Sequence, residues 1–323
     1  PDLFIFAQDR IGDWATAGVI EPIDFWVEDE LRNRFFPATV EALTFENALY
    51  GLPVAFKSTA LYYNKRLVPE PPKTTDELIR IAKSVTDPKA QRYGLVYENA
   101  NFYYHACWHQ GFGARVFDER MRPVLDSPEA IRALSFARRL AKEEGIMPEE
   151  ITATLVTSLF NEGKAAFVIS GPWFMAELNK DLPFGVAVLP IISEVGRPAT
   201  PFMGSEGIIL SARSKVKAEA FEVMKFITSR EAGEIMAIEG RQTPANRTVY
   251  ENPRIKNDPI TAVFLEQLAH TLPMPNSAQM RLVWSPITTA MFKVIVGDTP
   301  PAEALHEAQQ KVLELIASAK RVR

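Results

Sequence analysis

The sequence predicts an α/β fold that is large enough for two lobes. Short apolar segments typical of buried strands recur along the 323 residues, and amphipathic segments typical of helices separate them. Alternation of this kind favours sheets flanked by helices. Because a chain of this length exceeds the usual size of one domain, two lobes with separate cores are expected.

The strand signals are apolar runs that are rich in β-branched or aromatic residues. The predicted strands are 3–7, 60–63, 93–97, 165–169, 184–189 and 207–210. The helix signals are apolar residues at helical spacing with capping residues in front of them. The predicted helices are 13–20, 27–43 with a break at Pro37, 75–85, 127–145, 153–160, 218–228, 230–238, 259–272, 285–296 and 301–319.

Local residue chemistry fixes several helix ends. Ser127 before Pro128 predicts a capped helix start, because Ser accepts a backbone N–H and Pro suits the first helical position. Thr75 and the acidic residues after it predict another start. Gly163 suits the left-handed position that ends a helix.

Residues 160–173 read FNEGKAAFVISGPW and form the most informative segment of the chain. After Gly163 the apolar run predicts a buried strand, and Gly171 with Pro172 then turns the chain. The turn presents Trp173 beyond the carboxyl end of that strand, where open α/β sheets bind ligands. An indole there offers a flat apolar face and one N–H donor, although a core tryptophan at a turn would have the same local sequence.

Bulk properties exclude several function classes. The 36 Lys and Arg against 40 Asp and Glu, without a long basic run, argue against nucleic acid and anionic membrane partners. No apolar stretch reaches the ~18 residues of a membrane span. Cys107 is the only cysteine, so an internal disulfide is impossible, but exported proteins of this size often have none. No signal peptide opens the sequence, and a strand starting at residue 3 suggests that something upstream has been removed.

Several segments together resemble one family, the periplasmic maltose-binding protein and its relatives. They are Asp9-Arg10 after the first strand, Tyr63-Asn64-Lys65, Pro71-Pro72-Lys73-Thr74, residues 163–173, Met274-Pro275-Asn276 and Trp284. These relatives are the solute-binding components of carbohydrate ABC importers. The resemblance runs from Pro1 to about Leu315, so it is more specific than any single motif.

The resemblance implies a two-lobed periplasmic-binding-protein fold with a sugar in the cleft and hinge closure around it. Each lobe is expected to be a mainly parallel sheet flanked by helices. The N-terminal lobe would take residues 1–55 and 208–253, and the C-terminal lobe residues 60–202 and 260–323. The hinge segments would lie near 55–60, 202–208 and 252–258.

The family also carries roughly sixty residues before the position of Pro1, including a strand central to its N-terminal lobe. We therefore expect that lobe to be incomplete here, either because a separate segment supplies those residues or because the sequence is truncated. The implied partners are an oligosaccharide of the maltose or maltodextrin type and the permease subunits of an ABC importer. The implied location is periplasmic or extracellular, with or without a membrane tether.

A sugar site needs planar aromatic groups for the sugar faces and charged or amide groups for the hydroxyls. By the resemblance, Asp9 and Arg10 match a pair that holds hydroxyls, and Trp173, Trp284 and Tyr103 match stacking positions. Tyr104 stands where the family often has Phe. Met274, in the matching segment, also belongs to the expected ligand-binding set, as do Phe6, Lys57 and Asn101.

Other positions depart from the maltose-binding pattern and put maltose itself in doubt more than a sugar. Phe6 replaces a tryptophan, Lys57 a cleft glutamate and Asn101 another glutamate. Ser285 and Thr288 replace a tyrosine and an arginine. Because one buried polar mismatch costs about 1–3 kcal/mol, a few such changes redirect specificity. The further candidates for polar contacts are Glu206, Arg241 and Gln242.

The alternatives come from different function classes. His105, Cys107 and His109 have a spacing that two helical histidines can use for a metal, but no third ligand is visible, so no metal and no cofactor are expected. A glycosidase would need two carboxylates flanking the bond, and although Asp9 and Glu206 could meet, nothing marks either as the acid. A binding domain fused to or derived from a permease or sensor, and a binder of a peptide or polyamine, also stay open.

Overall fold

The computed structural model describes residues 1–148 and 150–321. Residue 149, inside the predicted lobe segment 60–202, lies outside the described residues. So do residues 322–323, at the end of the predicted segment 260–323.

Strands and helices alternate along most of the described chain, which confirms the α/β class. The strands are β1 Leu3–Ala7, β2 Thr44–Phe45, β3 Ala48–Leu49, β4 Gly51–Lys57, β5 Ala60–Asn64, β6 Tyr93–Val96, β7 Ala165–Ser170, β8 Phe184–Ala187, β9 Ile191–Ile192, β10 Arg197–Pro198, β11 Phe202–Leu210 and β12 Leu272–Pro273.

The helices include one that ends in a wider, π-helical turn, Arg139–Glu143, directly after α6. The α-helices are α1 Ile11–Thr16, α2 Asp29–Arg32, α3 Pro37–Ala42, α4 Thr75–Val85, α5 Phe102–Gly111, α6 Pro128–Arg138, α7 Ala153–Asn161, α8 Lys217–Ile227, α9 Arg230–Ile238, α10 Pro253–Lys256, α11 Pro259–Leu268, α12 Met280–Ile295 and α13 Pro301–Arg321. None of the helices in the described part of the chain combines the length and apolar composition needed to span a bilayer.

The chain divides into two compact units. Unit 1 contains Pro1–Ser58, Met203–Leu265 and Pro273–Arg281, and unit 2 contains Thr59–Phe202, Glu266–Leu272 and Leu282–Arg323. Unit 1 therefore extends past the segment 252–258 as far as Leu265. The lobe boundaries and hinge segments that the resemblance implies stay a prediction, because compactness alone does not locate a hinge.

The sheet of unit 1 is organised around β11. One edge of β11 pairs with β1, from Leu3 opposite Leu210 to Ala7 opposite Glu206. The other edge pairs with β4, and β12 joins the same sheet at the start of β11. Apolar residues of the strands and of the flanking helices form one buried core, which includes Ile11, Phe35, Leu43, Leu52, Ile209 and Phe221.

The sheet of unit 2 has the strand order β6-β7-β5-β8. Every residue of β7 is buried, as expected for the continuous apolar run in its sequence. Gly163, which precedes β7, has a φ of +71°, so its predicted left-handed conformation is confirmed. Ser127 caps α6 by accepting the N–H of Ala130 at 3.2 Å, which confirms that helix start as well.

The expectation of mainly parallel sheets is wrong. β11 runs antiparallel to β1 and β4, and β5 runs antiparallel to β7 and β8, whereas β6 and β7 pair in parallel. Parallel neighbours need a long crossover connection, and α5, α6 and α7 supply it between β6 and β7. The alternation of strands and helices in the sequence shows that a helix connects two successive strands, but it does not show which strands pair in the sheet.

Some predicted helices are shorter in the structure or are capped one residue earlier. Residues 27–43 form α2 and α3 rather than one helix, and Pro37 is the first residue of α3, so the predicted break is confirmed. Thr74 rather than Thr75 caps α4, since its side chain accepts the N–H of Glu77 at 3.2 Å. The predicted helix 13–20 is α1 and ends at Thr16.

A pair of buried histidines lies one turn apart on α5 of unit 2. His105 and His109 are only 2% and 1% exposed, and their ring centroids are 6.3 Å apart. Burial lowers the pKa of His105 to about 3, and the neighbouring His109 lowers it further. Burial also lowers the pKa of His109 to about 4. Both imidazoles are therefore neutral in the folded protein at neutral pH.

These two pKa values predict acid destabilisation that begins well above the titration range of ordinary carboxylates. Since an unfolded imidazole titrates near 6.5, the unfolded chain binds more protons than the folded chain between about pH 6.5 and 3 to 4. The free energy of unfolding should fall as pH drops through this range, by up to about 2 kcal/mol per imidazole at pH 5.

Urea unfolding of the wild type and of His105→Gln/His109→Gln between pH 5 and 8 measures this slope. The double variant should show a flatter dependence on pH, whereas His270→Gln, at an exposed histidine, should keep the wild-type slope. Equal slopes for the wild type and the double variant would contradict the assignment.

Candidate ligand-binding site

The carboxyl end of β1 is fixed by one buried glutamine. Gln8 is fully buried, and its side-chain oxygen accepts the N–H of Ser205 at 2.7 Å. Its amide nitrogen donates to the carbonyl oxygens of Met203 at 3.2 Å and Met274 at 3.3 Å. These bonds connect the end of β1 to the start of β11 and to the segment after β12, so the residues that follow Gln8 are held in place.

Asp9 and Arg10 follow Gln8 in a short 3-10 turn, Gln8–Arg10, at that end of the sheet. Both side chains are half-buried. The turn continues directly into α1, so the two residues lie between a strand end and a helix start. A carboxylate and a guanidinium in this position offer an acceptor pair and a donor fork to a ligand.

Lys57 reaches the same end of the sheet from β4. Its ammonium donates to the side-chain oxygen of Gln242 at 2.5 Å and lies 3.5 Å from a carboxylate oxygen of Glu206. The strand register explains this placement, because Lys57 is opposite Gly204 on one edge of β11 and Ala7 is opposite Glu206 on the other. We call the residues Asp9, Arg10, Lys57, Glu206 and Gln242 the polar group of unit 1.

Trp173 follows β7 in unit 2, in the 3-10 turn Pro172–Glu177. A Cβ atom on Gly171 would lie 2.0 Å from the Trp173 ring, so only glycine lets the indole fold back against the strand end. The indole is half-buried, and its ring lies 6.1 Å from that of Tyr103 with an interplanar angle of 54°. The sequence prediction that the Gly-Pro turn presents Trp173 beyond β7 is confirmed.

Tyr103 is held by the start of α5. The side chain of Asn101 caps this helix by accepting the N–H of Tyr103 at 3.0 Å. The Asn101 side chain therefore caps the helix that carries Tyr103 and Tyr104. Its contact with a ligand stays a prediction. Tyr103 and Tyr104 pack edge to face at 5.8 Å.

Five rings of unit 2 form a continuous aromatic cluster, namely Phe102, Tyr103, Trp173, Phe202 and Trp284. Tyr103 lies 6.4 Å from Phe202, and Trp284 lies 6.3 Å from Phe202 and 6.0 Å from Phe102. Phe102 and Phe202 are buried, whereas the three predicted stacking residues are half-buried. The buried phenylalanines therefore pack within a cluster whose other three rings are partly exposed.

Tyr104 lines a small pocket of about 50 Å³ together with Glu98, Ser170, Trp173 and Glu177. Burial, aided by the nearby Glu98 carboxylate, raises the pKa of Tyr104 to about 12. Its hydroxyl group interacts with the side chains of Trp173, Ser170 and Glu98. Because the phenol stays neutral at physiological pH, it can act here as both donor and acceptor.

The remaining candidate residues lie in different surroundings. Phe6 is 44% exposed and packs edge to face against Trp14 at 5.1 Å. Met274 is buried, and its backbone takes part in the sheet of unit 1, with its N–H donating to Met203 at 2.9 Å. Ser285 and Thr288 are exposed on α12. The ligand contacts assigned to Phe6 and Met274, like those of the rest of the set, stay predictions.

The structure also places residues that the sequence analysis missed. Phe102 and Phe202 belong to the aromatic cluster, and Glu98 lines the small pocket that Trp173 also lines. An apolar residue at a helix or strand start is too common to indicate a site, so Phe102 and Phe202 had no distinctive signal. Within the described residues there is no group of three or more His, Cys, Asp or Glu side chains arranged to hold a metal ion.

Comparison with known proteins shows the family of the chain. Residues 1–234 match the family model described as "Bacterial extracellular solute-binding protein". The chain belongs to this family. The resemblance to solute-binding proteins that its motifs indicate is thereby confirmed.

Relatives of this solute-binding protein carry names of sugar-binding proteins. The maltotriose-binding protein of Pyrococcus abyssi is 35% identical over 303 residues, which are 91% of this chain and 66% of that protein. The galactooligosaccharide-binding protein of Bacillus subtilis is 28% identical and covers 96% of this chain and 76% of its own length. A maltooligosaccharide ABC transporter solute-binding lipoprotein of Streptococcus pneumoniae is 27% identical, with 98% and 76% covered. This chain thus spans about two thirds to three quarters of their lengths.

Solved structures show the same fold. A cyclo/maltodextrin-binding protein in complex with maltotetraose superimposes with a TM-score of 0.87 at 36% identity, covering 98% of this chain and 82% of that one. The maltose/maltodextrin-binding domain of Bdellovibrio bacteriovorus, bound to maltotriose, gives a TM-score of 0.89 at 26% identity, with 98% and 85% covered. These similarities confirm the two-lobed α/β fold of the family for this solute-binding protein, and all the proteins compared are named as binding proteins.

Gln8 should be essential for the stability of unit 1 because it holds three backbone groups together. Gln8→Met keeps the size of the side chain but leaves the N–H of Ser205 and the carbonyls of Met203 and Met274 without these partners. Buried polar groups without partners are costly, so we expect a loss of about 2–4 kcal/mol in the free energy of unfolding.

Urea unfolding monitored by circular dichroism measures this loss. Gln310→Met, at an exposed position of α13, should change the free energy of unfolding little and serves as the matched control. A loss for Gln8→Met no larger than that of the control would show that the three bonds do not hold the end of β1.

Proposed function

We propose that this protein binds a maltooligosaccharide or a related oligosaccharide and delivers it to an ABC importer. The observation that carries the proposal is the aromatic cluster of unit 2, in which the partly exposed rings of Trp173, Tyr103 and Trp284 come together with buried rings. Sugar rings present C–H groups on their faces, and such faces pack on indole and phenol rings.

The polar group of unit 1 supports the same proposal. Asp9, Arg10, Lys57, Glu206 and Gln242 supply both donors and acceptors, as the hydroxyl groups of a neutral sugar require. The names of the relatives add to this support, because they bind maltotriose, maltooligosaccharides and galactooligosaccharides. The departures at Phe6, Lys57 and Asn101 from the maltose-binding pattern favour a relative of maltose over maltose itself.

Delivery by hinge closure is part of the same proposal. Its support is the division of the chain into two compact units, each of which carries candidate ligand-binding residues. A ligand that favours a closed state by a few kcal/mol is sufficient to change which state dominates. The partners would then be the permease subunits of the importer, since the S. pneumoniae relative is named as an ABC transporter component.

The proposal includes binding without catalysis. A glycosidase needs one carboxylic acid and one carboxylate on opposite sides of the scissile bond. In unit 1 the Glu206 carboxylate lies beside the Lys57 ammonium, an arrangement suited to holding hydroxyls. The proposed location is outside the cytoplasmic membrane, in the periplasm or tethered to the outer face of the membrane, as supported by the family description and the lipoprotein relative.

Isothermal titration calorimetry with maltotriose tests the proposal. We expect saturable binding by the wild type, and a Kd about 10- to 100-fold higher for Trp173→Ala, because the loss of a stacked indole removes about 1.5–3 kcal/mol. Phe25→Ala removes an aromatic ring that is 91% exposed and should keep the wild-type Kd.

The titration should be repeated with a galactooligosaccharide and with sucrose to place the ligand within the sugar class. Absence of binding to every one of these sugars by a folded sample would overturn the proposed function. Equal affinities for the wild type and Trp173→Ala would show that Trp173 does not contact the ligand and would contradict the role of the aromatic cluster.

A further inference from the structure

A groove of about 500 Å³ lies on unit 1, lined by residues of α2, of α8 and of the short segments next to α2. Its apolar lining consists of Trp26, Leu31 and Phe226, and the remaining lining residues are charged. None of the lining residues belongs to the polar group of unit 1 or to the candidate ligand-binding set. We call this feature the α8 groove.

Large apolar side chains are exposed around the α8 groove. Phe226 and Val223 are 70% and 47% exposed, and residues three positions apart are neighbours on a helix surface. Phe221 and Met224 of the same helix are buried, so the side of α8 that faces the core is a different one. Phe25, which directly precedes the tryptophan of the groove, is 91% exposed. Single exposed apolar residues are common, but several large ones beside a groove mark an interaction site.

The rings at the α8 groove do not form one flat surface. The Trp26 indole stacks on Phe221, with centroids 5.8 Å apart and an interplanar angle of 27°. Phe25 meets the same indole at 85°, also with 5.8 Å between the centroids. The rings therefore form a corner, which suits a bulky apolar side chain better than the face of a sugar ring.

The charge at the α8 groove is not balanced. The two cations of the lining, Arg34 and Lys225, are each paired with a lining glutamate, at 2.7 Å and 2.6 Å. Glu28 also lines the groove and is exposed, and Asp29 next to it is exposed as well. Within the described residues neither of these two carboxylates has an ion-pair partner. Negative charge is therefore left over on the side of the groove that α2 begins.

This excess negative charge decides which partner fits. Carboxylates repel anionic lipid head groups, and a second copy docking through the same face would bring two acidic edges together. A protein segment that carries lysine or arginine beside large apolar side chains meets neither obstacle. Its cations pair with the carboxylates while its apolar side chains cover the exposed rings.

We propose that the α8 groove docks a segment of another protein in which large apolar side chains alternate with lysine or arginine. The apolar side chains pack against Trp26 and Phe226, and the cations pair with Glu28 and Asp29. Aromatic residues at the centre of a contact carry most of its binding energy, so Phe226 is the main anchor on this side. The contact uses no residue of the candidate sugar site and stands independently of the proposed function.

A titration of the ¹⁵N-labelled protein with a synthetic peptide tests the groove. The probe is a short amphipathic peptide built from lysine, leucine, phenylalanine and alanine, and its matched control has glutamate in place of every lysine. The indole N–H signal of Trp26 should shift in a saturable way with the lysine peptide and stay in place with the glutamate peptide. No shift with the lysine peptide, or equal shifts with both peptides, would overturn the proposal.

Two variants locate the contact. Phe226→Ser and the double variant Glu28→Gln/Asp29→Asn should each raise the Kd of the lysine peptide at least about tenfold. Because these side chains are exposed, the variants should keep the wild-type circular dichroism spectrum. Phe292→Ser, at a 53% exposed position of α12, and Glu231→Gln/Glu239→Gln, at exposed positions of unit 1, are the matched controls and should keep the wild-type Kd.

The other outcomes are also informative. An unchanged peptide Kd in both groove variants would place the peptide elsewhere and overturn the proposal. Light scattering that shows a wild-type dimer and a monomeric Phe226→Ser variant would mean that a second copy covers the groove, which would also overturn it. The maltotriose Kd of Phe226→Ser should equal that of the wild type. Failure to bind any sugar would contradict the proposed function and leave this inference intact.

Discussion

The pairing of β11 on both of its edges is the constraint on which unit 1 depends. β1 lies along one edge and β4 along the other, so their ends are fixed relative to the same nine residues, Phe202–Leu210. Gln8 completes this arrangement with bonds to both β11 and the segment at Met274. The charged residues Asp9 and Arg10 after β1 and Lys57 at the end of β4 therefore lie at the same end of the sheet, although they are far apart in the sequence.

Close packing places the indole of Trp173 in unit 2. The Gly171 position has no room for a side chain, and the indole of Trp173 fills the space that one would occupy. The buried rings of Phe102 and Phe202 pack against those of Tyr103 and Trp284. Under the proposed function, unit 1 would supply hydroxyl partners and unit 2 would supply aromatic faces.

Local chemistry explains which features the sequence predicted well. The Ser127 cap, the left-handed Gly163 and the turn before Trp173 each depend on a few adjacent residues, so their geometry could be inferred from residue type alone. The aromatic residues Trp173, Tyr103 and Trp284 could be placed together by the family resemblance, because its motifs fix their positions.

Non-local contacts explain what the sequence did not predict. The strand directions were wrong because pairing depends on which segments become neighbours. Among the strand pairs described above, β6 and β7 run parallel, and α5, α6 and α7 connect them. The bond between Lys57 and Gln242 joins residues 185 positions apart and leaves no local pattern. Phe102 and Phe202 were missed for the same reason, since their role appears only when the five rings come together.

The most direct test of the account uses the five tryptophans of the chain as separate reporters. Indole N–H signals in a ¹H–¹⁵N correlation spectrum can be assigned by single substitutions and then followed during a titration with maltotriose. The account predicts that the signals of Trp173 and Trp284 shift in a saturable way, while those of the core residue Trp108 and of Trp26 in unit 1 stay in place. A saturable shift confined to Trp26 or Trp108, or no shift of any indole in a folded sample, would contradict it.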